Sequence, residues 1–349
     1  MGREVMLVGS VPLADAGDVF RTAFRHLGDK VRMLPDGETG PRSKFISWQE
    51  KVFAKVDQLS VTPLGPQSEW GKHGELPPRT VQVRADAQGE PQFPPIGYAS
   101  EALAAYKQFN ALRASGELDA SLKLQICLPT PLGVLSAFGD ADFQQFCEPR
   151  YRARMKEDID EISKKLPHDE IVVQWDLPLE IAIWEGHVDT YLSDPRRDVV
   201  MKLCEMIEHV PLDVEVGLHL CYGDVSHQHW KEPNLALMVE FANFVQHQLE
   251  RAIDYLHFPV PRSWTDAGHF RALGDLDLRP GTRVFLGLIH MTDGIDGAKK
   301  RIASAETFLG DFGLAASCGL GRRRPADIPA ILSLHREAAE ISDLDIQAD

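Results

Sequence analysis

One histidine and two cysteines carry the strongest chemical signal in this sequence. His219 and Cys221 stand two positions apart at the end of an apolar stretch, and Cys318 lies in a later segment where glycine follows it. Alternate residues of a β-strand share a face, so His219 and Cys221 can point in the same direction. Three protein ligands with one open position are typical of a catalytic zinc, and a metal-bound thiol is deprotonated. The set predicts a Zn(2+) site that acts on a thiol; the plainer interpretation is a packed histidine beside buried thiols.

Other polar side chains also follow apolar stretches. Asp176 with its neighbour Trp175, and Glu38 in a glycine-rich turn, are candidate substrate-binding residues, and Asp176 is also a candidate for proton transfer. His290 is a candidate general acid near neutral pH, and His257 ends a further apolar stretch. The alternative interpretations are a helix N-cap for Asp176, an exposed ion pair for Glu38 and a structural hydrogen bond to a loop carbonyl for His290.

Short apolar segments alternate with amphipathic ones along the chain. The predicted strands are Val5–Ser10, Lys30–Pro35, Leu122–Pro129, Ile171–Asp176, Val214–Cys221, Ile253–Phe258, Val284–His290 and Leu314–Cys318. The predicted helices are Ala14–His26, Ser100–Ser115, Asp142–Lys165, Arg196–His209, Leu235–Glu250, Asp296–Leu309 and Ile328–Ile341. Strands that are apolar throughout are typical of parallel sheets buried on both faces.

This alternation predicts an α/β protein with a single (β/α)8 TIM barrel over residues 1–349, with a doubly wound open sheet as the main competitor. Residues 60–99, approximately, are rich in proline and glycine and read as a long insertion after the second strand, with one strand-like piece at Thr80–Val83. A loop of that length in a compact domain is usually functional or disordered. Because catalytic groups of such barrels come from the carboxyl ends of the strands, the polar residues above are expected at one mouth.

Composition narrows the classes of partner. The formal net charge of −15 argues against non-specific binding to nucleic acid or to an anionic membrane. No apolar run approaches the roughly 18 residues of a membrane span, and the first residues show no signal-peptide pattern. Five widely spaced cysteines do not suggest a disulfide framework, and Cys127, Cys147 and Cys204 are expected to be structural. A cytoplasmic protein with small-molecule partners is therefore expected, and the sequence leaves the oligomeric state open.

With these residues assembled, the chain resembles the cobalamin-independent methionine synthase family, in particular its C-terminal catalytic barrel within the uroporphyrinogen decarboxylase and methionine synthase-like superfamily. The matching segments are Val8–Pro12, Leu128–Pro131, Gln174–Pro178, His219–Tyr222, Ile289–His290 and Cys318–Leu320. The most specific are the H-x-C-Y and C-G-L segments. The resemblance implies a methyl transfer from 5-methyltetrahydrofolate to homocysteine.

The resemblance also implies a role for each matching position. His219, Cys221 and Cys318 would be zinc ligands, and Asp176 would hold the amino group of an amino-acid thiol. Ser10 would belong to the turn that binds the substrate carboxylate, and His290 would protonate the methyl donor.

One position departs from the family pattern. The methionine synthases place a glutamate ligand at the end of strand six, where this chain has Tyr255–Pro259, so His257 is the candidate fourth ligand. The turn Asp36–Arg42 and the long insertion are further departures. They leave open a thiol–epoxide transferase of the epoxyalkane:coenzyme M type and a methyltransferase with another donor. From other classes, a metal-free decarboxylase-like lyase and a non-catalytic binding barrel remain alternatives.

Overall fold

The structure is a computed structural model that describes residues 2–62, 80–225, 228–229 and 231–341. Its strands are β1 (Met33–Pro35), β2 (Leu59–Val61), β3 (Val81–Val83), β4 (Lys123–Pro129), β5 (Ile171–Asp176), β6 (Glu215–His219), β7 (Asp224–Val225), β8 (Gln228–His229), β9 (Tyr255–Pro259), β10 (Arg283–Ile289) and β11 (Gly313–Ala316). Its α-helices are α1 (Ala16–Leu27), α2 (Glu50–Phe53), α3 (Tyr98–Ala114), α4 (Pro131–Phe138), α5 (Ala141–Lys165), α6 (Pro178–Trp184), α7 (Pro195–His209), α8 (Leu235–Gln248), α9 (Gly294–Glu306) and α10 (Ile328–Ala339).

Seven of these strands form one parallel sheet, in the spatial order β1-β4-β5-β6-β9-β10-β11. All six residues of β5 are buried, as expected for a strand covered on both faces. The helices between the strands pack on one face of the sheet and supply most of the large hydrophobic core. Polar side chains fix where several helices begin: Asp15 and Thr130, for example, accept the N–H of Asp18 and Gly133.

The sheet curls, and the N-terminal segment lies between its two edges. The N–H of Met6 donates to Leu314 of β11, and the N–H of Val5 donates to Lys30, just before β1. Val5 forms one parallel bridge, with Leu314, so the predicted first strand is an extended segment with a single bridge. The described chain therefore has a TIM-barrel-like curled sheet of seven strands rather than the eight that the sequence predicts.

The inner face of the curled sheet has its own small core. It consists of side chains from the N-terminal segment and the strands, with none from the helices: Met6, Val8, Met33, Val172, Tyr255, Phe285 and Ala315. These residues fill the interior near the amino ends of the strands. The polar residues of the interior lie nearer the carboxyl ends of the strands than this small core does.

The order of the predicted elements is confirmed from β1 to α10, with ends that shift by a few residues. Within the insertion, β3 pairs with β2 as an antiparallel hairpin, which contains the predicted strand-like piece. The rest of the predicted insertion up to residue 79 lies largely outside the described residues. Among the described helices, none is both long and apolar enough to cross a bilayer.

The buried His335 of α10 gives a testable dependence of stability on pH. Its Nδ1 lies 2.7 Å from the carbonyl oxygen of Ile331, and burial, with a contribution from Arg323, lowers its pKa to about 4. The folded state therefore takes up the proton less readily than the unfolded chain, so stability is greatest above pH 6.5 and falls between pH 6.5 and 4.

The free energy of unfolding falls when the pH is lowered from 7.5 to 4, and we expect this decrease to be smaller in His335→Phe than in the wild type by roughly 3 kcal/mol. The measurement is the free energy of unfolding in urea at pH 7.5 and pH 4. The exposed His247→Phe serves as the control and should keep the wild-type difference between the two pH values. Equal acid sensitivity in His335→Phe and the wild type would contradict the assignment.

Candidate metal and substrate site

A layer of hydrogen-bonded polar side chains lies next to the small apolar core on the inner face of the sheet. Gln125 of β4 donates through Nε2 to Gln174 Oε1 of β5 (2.9 Å), and the hydroxyl of Tyr255 donates to the same oxygen (3.0 Å). All three side chains are fully buried or nearly so. Buried polar groups are costly unless they are paired, so this network fixes the amide orientation of Gln174.

Asp176 receives the other end of that network. It is the last residue of β5, and its Oδ1 accepts a 2.8 Å hydrogen bond from Gln174 Nε2. Leu177 rather than Asp176 is the N-cap of α6, and that helix has no side-chain cap. The N-cap interpretation of Asp176 is therefore wrong. Burial and the nearby Glu38 carboxylate raise the pKa of Asp176 well above its usual range.

Glu38 reaches the same place from the turn after β1. The turn needs left-handed backbone at Gly37 (φ 79°) and at Glu38 itself (φ 49°), and a Cβ at Gly37 would lie 2.6 Å from Val19. Asp36 accepts the N–H of Glu38 through Oδ1 (2.9 Å) and pairs with Arg42 through its other oxygen. Glu38 is buried, so the exposed ion pair considered for it is not what the structure shows.

The two carboxylates lie close together. Ligand atoms of Glu38, Asp176 and Cys127 are all within 4.8 Å of one another. Burial raises the pKa of Glu38 to about 7 although Arg42 opposes it. A buried site with two adjacent carboxyl groups is suited to a cationic group such as an ammonium, because the cation offsets both the burial and the mutual repulsion.

The three residues proposed as zinc ligands also meet. His219 ends β6, Cys221 follows two positions later, and Cys318 follows β11; their ligand atoms lie within 4.8 Å of one another. His219 Nε2 is 3.7 Å from Cys318 Sγ. Burial, followed by the hydrogen bond with Cys318, raises the pKa of the Cys221 thiol well above its usual range.

This donor set fits zinc. Tetrahedral zinc with bonds of about 2.3 Å to sulfur and about 2.05 Å to nitrogen separates these two atoms by about 3.6 Å. The observed 3.7 Å between His219 Nε2 and Cys318 Sγ agrees with that separation. One imidazole and two thiolates leave a fourth position for a substrate.

Ser10 ties the cysteine-bearing loop to the N-terminal segment. Its Oγ accepts the N–H of Gly321 (3.2 Å), and its carbonyl accepts the N–H of Leu320 (2.7 Å). A Cβ at Gly319 would lie 2.2 Å from Ser10 Oγ, which explains why glycine follows Cys318. Ser10 therefore lies directly beside the loop that carries a proposed ligand.

His257 lies next to the three-residue group but is not one of its members. It is fully buried, its Nδ1 is 2.7 Å from His219 Nδ1, and its Nε2 is 3.0 Å from the carbonyl oxygen of Ala316. Both of its ring nitrogens therefore have protein partners. Its role as a fourth ligand stays a prediction.

His290 and Trp175 are placed differently from the clustered residues. His290 Nε2 lies 2.8 Å from the carbonyl oxygen of Val260, and burial together with Arg301 lowers its pKa to about 4, so it is neutral near pH 7. Trp175 is fully buried in the large hydrophobic core and lies on the opposite face of β5 from Asp176. Their predicted roles as acid and substrate contact stay predictions.

Sequence reasoning missed three interior residues. Cys127 was expected to be structural, yet it lies with Glu38 and Asp176, and Gln125 and Gln174 orient that group. A usable signal existed: Gln125 and Cys127, like Gln174 and Asp176, are polar or reactive residues at alternate positions of otherwise apolar strands. Such spacing marks one face of a strand.

Comparison with known proteins gives fold-level likeness. No protein-family model matches the chain, and no curated protein sequence matches it either. A B12-independent methionine synthase from Shewanella sp. W3-18-1, solved in complex with selenomethionine, superposes with a TM-score of 0.60 at 14% identity, covering 99% of both chains. A Listeria monocytogenes protein, provisionally assigned as a vitamin-B12-independent methionine synthase, gives a TM-score of 0.53 at 13% identity, covering 92% of this chain and 86% of that one. These likenesses show that the chain has a methionine-synthase-like fold.

The burial of Glu38 predicts that its removal stabilises the protein. The pKa of Glu38 is raised from 4.5 to about 7. The contribution of this carboxyl group to the free energy of unfolding is therefore most favourable below pH 4.5 and is lost as the pH rises through 7. At pH 8 we expect Glu38→Gln to raise the free energy of unfolding by up to roughly 3 kcal/mol, with the gain vanishing near pH 4.5.

Urea unfolding of the variant and the wild type at both pH values is the measurement. Glu101→Gln is the matched control, because Glu101 pairs with Arg42 (3.3 Å), whose charge also acts on Glu38, but Glu101 is partly exposed, and the substitution should bring no gain at pH 8. Destabilisation of Glu38→Gln at pH 8 would show that the carboxylate is held as a stabilising ion.

Proposed function

We propose that this chain is a zinc-dependent enzyme that transfers a methyl or alkyl group to a thiol acceptor. The observation that carries the proposal is the convergence of His219, Cys221 and Cys318 at a spacing that suits tetrahedral zinc. When bound there, zinc supplies the Lewis acidity that keeps an incoming thiol deprotonated at neutral pH. The three side chains leave one position for that thiol.

The carboxylate pair supports an amino-acid thiol as the acceptor. Glu38 and Asp176 form a buried pair of carboxyl groups, and the positive charge of an ammonium group would favour their ionised forms. Ser10 lies beside the loop that contains Cys318, and we propose that it binds the carboxylate of the substrate. Homocysteine has these groups, and the solved Shewanella neighbour holds selenomethionine, an amino acid whose selenium carries the methyl group.

For the donor we propose 5-methyltetrahydrofolate, as the family resemblance implies. The carbon–nitrogen bond of the donor breaks, a carbon–sulfur bond forms, and a proton goes to the leaving nitrogen. His290 is our candidate for the residue that donates this proton. Because its pKa is lowered to about 4, His290 is neutral near pH 7, and it would first take up the proton that the acceptor thiol loses and then pass it to the leaving nitrogen.

Metal content tests the first part of the proposal. We expect about one zinc per wild-type chain and loss of both zinc and methyl transfer in Cys318→Ala, since two remaining ligands hold zinc poorly. Cys204→Ala is the control, because Cys204 is buried in α7 and should leave the zinc content unchanged. Elemental analysis and a methionine-forming assay are the measurements. Full activity in a zinc-free protein would contradict the proposal.

Paired ligands test the amino-group pocket. In Asp176→Asn, the dissociation constant of homocysteine should rise by about 10- to 100-fold, because a charged hydrogen bond is lost. The dissociation constant of 4-mercaptobutanoate, which lacks the amino group, should stay within about threefold of wild type. Absorption of the cobalt-substituted protein reports both constants. An equal loss for the two thiols would place Asp176 elsewhere than at the amino group.

A further inference from the structure

One arginine of α9 is completely buried and makes four polar contacts. Arg301 donates through Nε to the carbonyl oxygen of Leu288 (2.8 Å) and through Nη1 to the carbonyl oxygen of Arg262 (2.9 Å). The carboxylate of Asp293 accepts from Nη1 (2.6 Å) and from Nη2 (3.0 Å). A buried charge is costly unless it is paired and hydrogen-bonded, and the planar guanidinium matches a carboxylate with two parallel bonds.

Three of these contacts fix the end of β10, where His290 follows the strand. Leu288 lies two positions before His290, and Asp293 lies three positions after it. Asp293 is the N-cap of α9, but its side chain does not cap that helix, and both of its oxygens accept from Arg301 instead. A Cβ at Gly297 would lie 2.1 Å from Asp293 Oδ2, so the glycine leaves room for this carboxylate. The guanidinium therefore ties the chain on both sides of His290 to α9.

The remaining contact fixes the segment that His290 touches. Its Nε2 lies 2.8 Å from the carbonyl oxygen of Val260, the residue directly after β9. Arg262 is two positions further along this segment, and its carbonyl oxygen accepts from Arg301 Nη1. A carbonyl oxygen can only accept, so Nε2 of His290 carries the proton in this contact. One buried side chain thus holds both the strand end that carries His290 and the loop that accepts its hydrogen bond.

We propose that Arg301 is a positioning residue that holds His290 in place for proton transfer to and from the substrate. This inference rests on the proposed function, in which His290 receives the thiol proton and passes it to the leaving nitrogen. Because Nε2 is bound to Val260, the proton enters and leaves through Nδ1. Placement matters for such a step, since a displacement of about 1 Å can cost roughly 100-fold in rate.

The charge of Arg301 supports the same role. Burial, followed by the positive charge of Arg301, lowers the pKa of His290 to about 4; Arg323 also lowers it, whereas Asp293 and the carbonyl of Val260 raise it. An imidazolium beside a fixed cation is a stronger acid, so a protonated His290 gives up its proton to the leaving nitrogen more readily. The guanidinium therefore both orients the ring and favours release of the proton.

A conservative variant separates the shape of Arg301 from its charge. Arg301→Lys keeps the positive charge and loses the planar fork. We expect kcat for methyl transfer to fall about 10- to 100-fold, while KM for homocysteine stays within about threefold of wild type. Arg251→Lys is the matched control, because Arg251 is also buried and donates to three backbone carbonyl groups, but in the segment before β6, and it should keep the wild-type kcat. An unchanged kcat in Arg301→Lys would overturn the inference.

Proton and nitrogen-15 NMR of histidine-labelled protein reads the placement of His290 without turnover. In the wild type we expect a resolved Nε2–H signal, protected by the hydrogen bond to Val260, and a pKa of about 4. Arg301→Met should lose the signal and raise the pKa towards 6.5, and Arg251→Met should change neither. Arg301→Lys, the milder change, should lose the signal and keep the low pKa, and it decides the question if Arg301→Met does not fold.

A His290 signal that is retained in the Arg301 variants would contradict the inference. If the wild type shows no methyl transfer, the proposed function fails, while these spectra still decide whether Arg301 holds His290 in place.

Discussion

The site depends on the register of three neighbouring parallel strands. Asp176, His219 and His257 are direct partners across β5, β6 and β9, so one polar side chain from each strand stands at the same height in the interior. None of the three is appreciably exposed, so each must find its partners within the protein. A shift of one residue in either pairing would turn a polar side chain towards the helices and break the arrangement.

The hydrogen-bond partners of these residues form two groups of polar side chains in the interior. Gln174 links Asp176 to Gln125 and Tyr255, and so joins the carboxylate pocket to the interior core below it. His257 links His219 to the backbone of β11. The first group is suited to a cation and the second to a metal, and both lie towards the carboxyl ends of the strands. This adjacency suits an amino-acid thiol, whose amino and sulfur groups need different environments.

Much of the architecture was predictable, because strands buried on both faces are apolar throughout and amphipathic helices repeat between them. The three proposed zinc ligands were predictable for a related reason: reactive residues at strand ends are brought together by the parallel sheet, and their ligand atoms do meet.

The Gln125–Gln174 network was not predictable from the sequence, because a buried amide is recognised by its hydrogen-bond partners and these come from distant segments of the chain. The single bridge of Val5 was not predictable either, since an apolar run does not specify how many hydrogen bonds its backbone makes. The burial of Glu38 depends on a left-handed backbone at a residue other than glycine, which sequence patterns rarely signal.

The central claim is that two thiolates and one imidazole hold a zinc ion that accepts a thiol. X-ray absorption at the zinc edge of the zinc-loaded protein, before and after addition of homocysteine, tests it most directly. Our account predicts two sulfur neighbours at about 2.3 Å with nitrogen or oxygen at about 2.0–2.1 Å, and a third sulfur when the thiol is added. A zinc ion without sulfur neighbours, or a sulfur count that the thiol leaves unchanged, would contradict it.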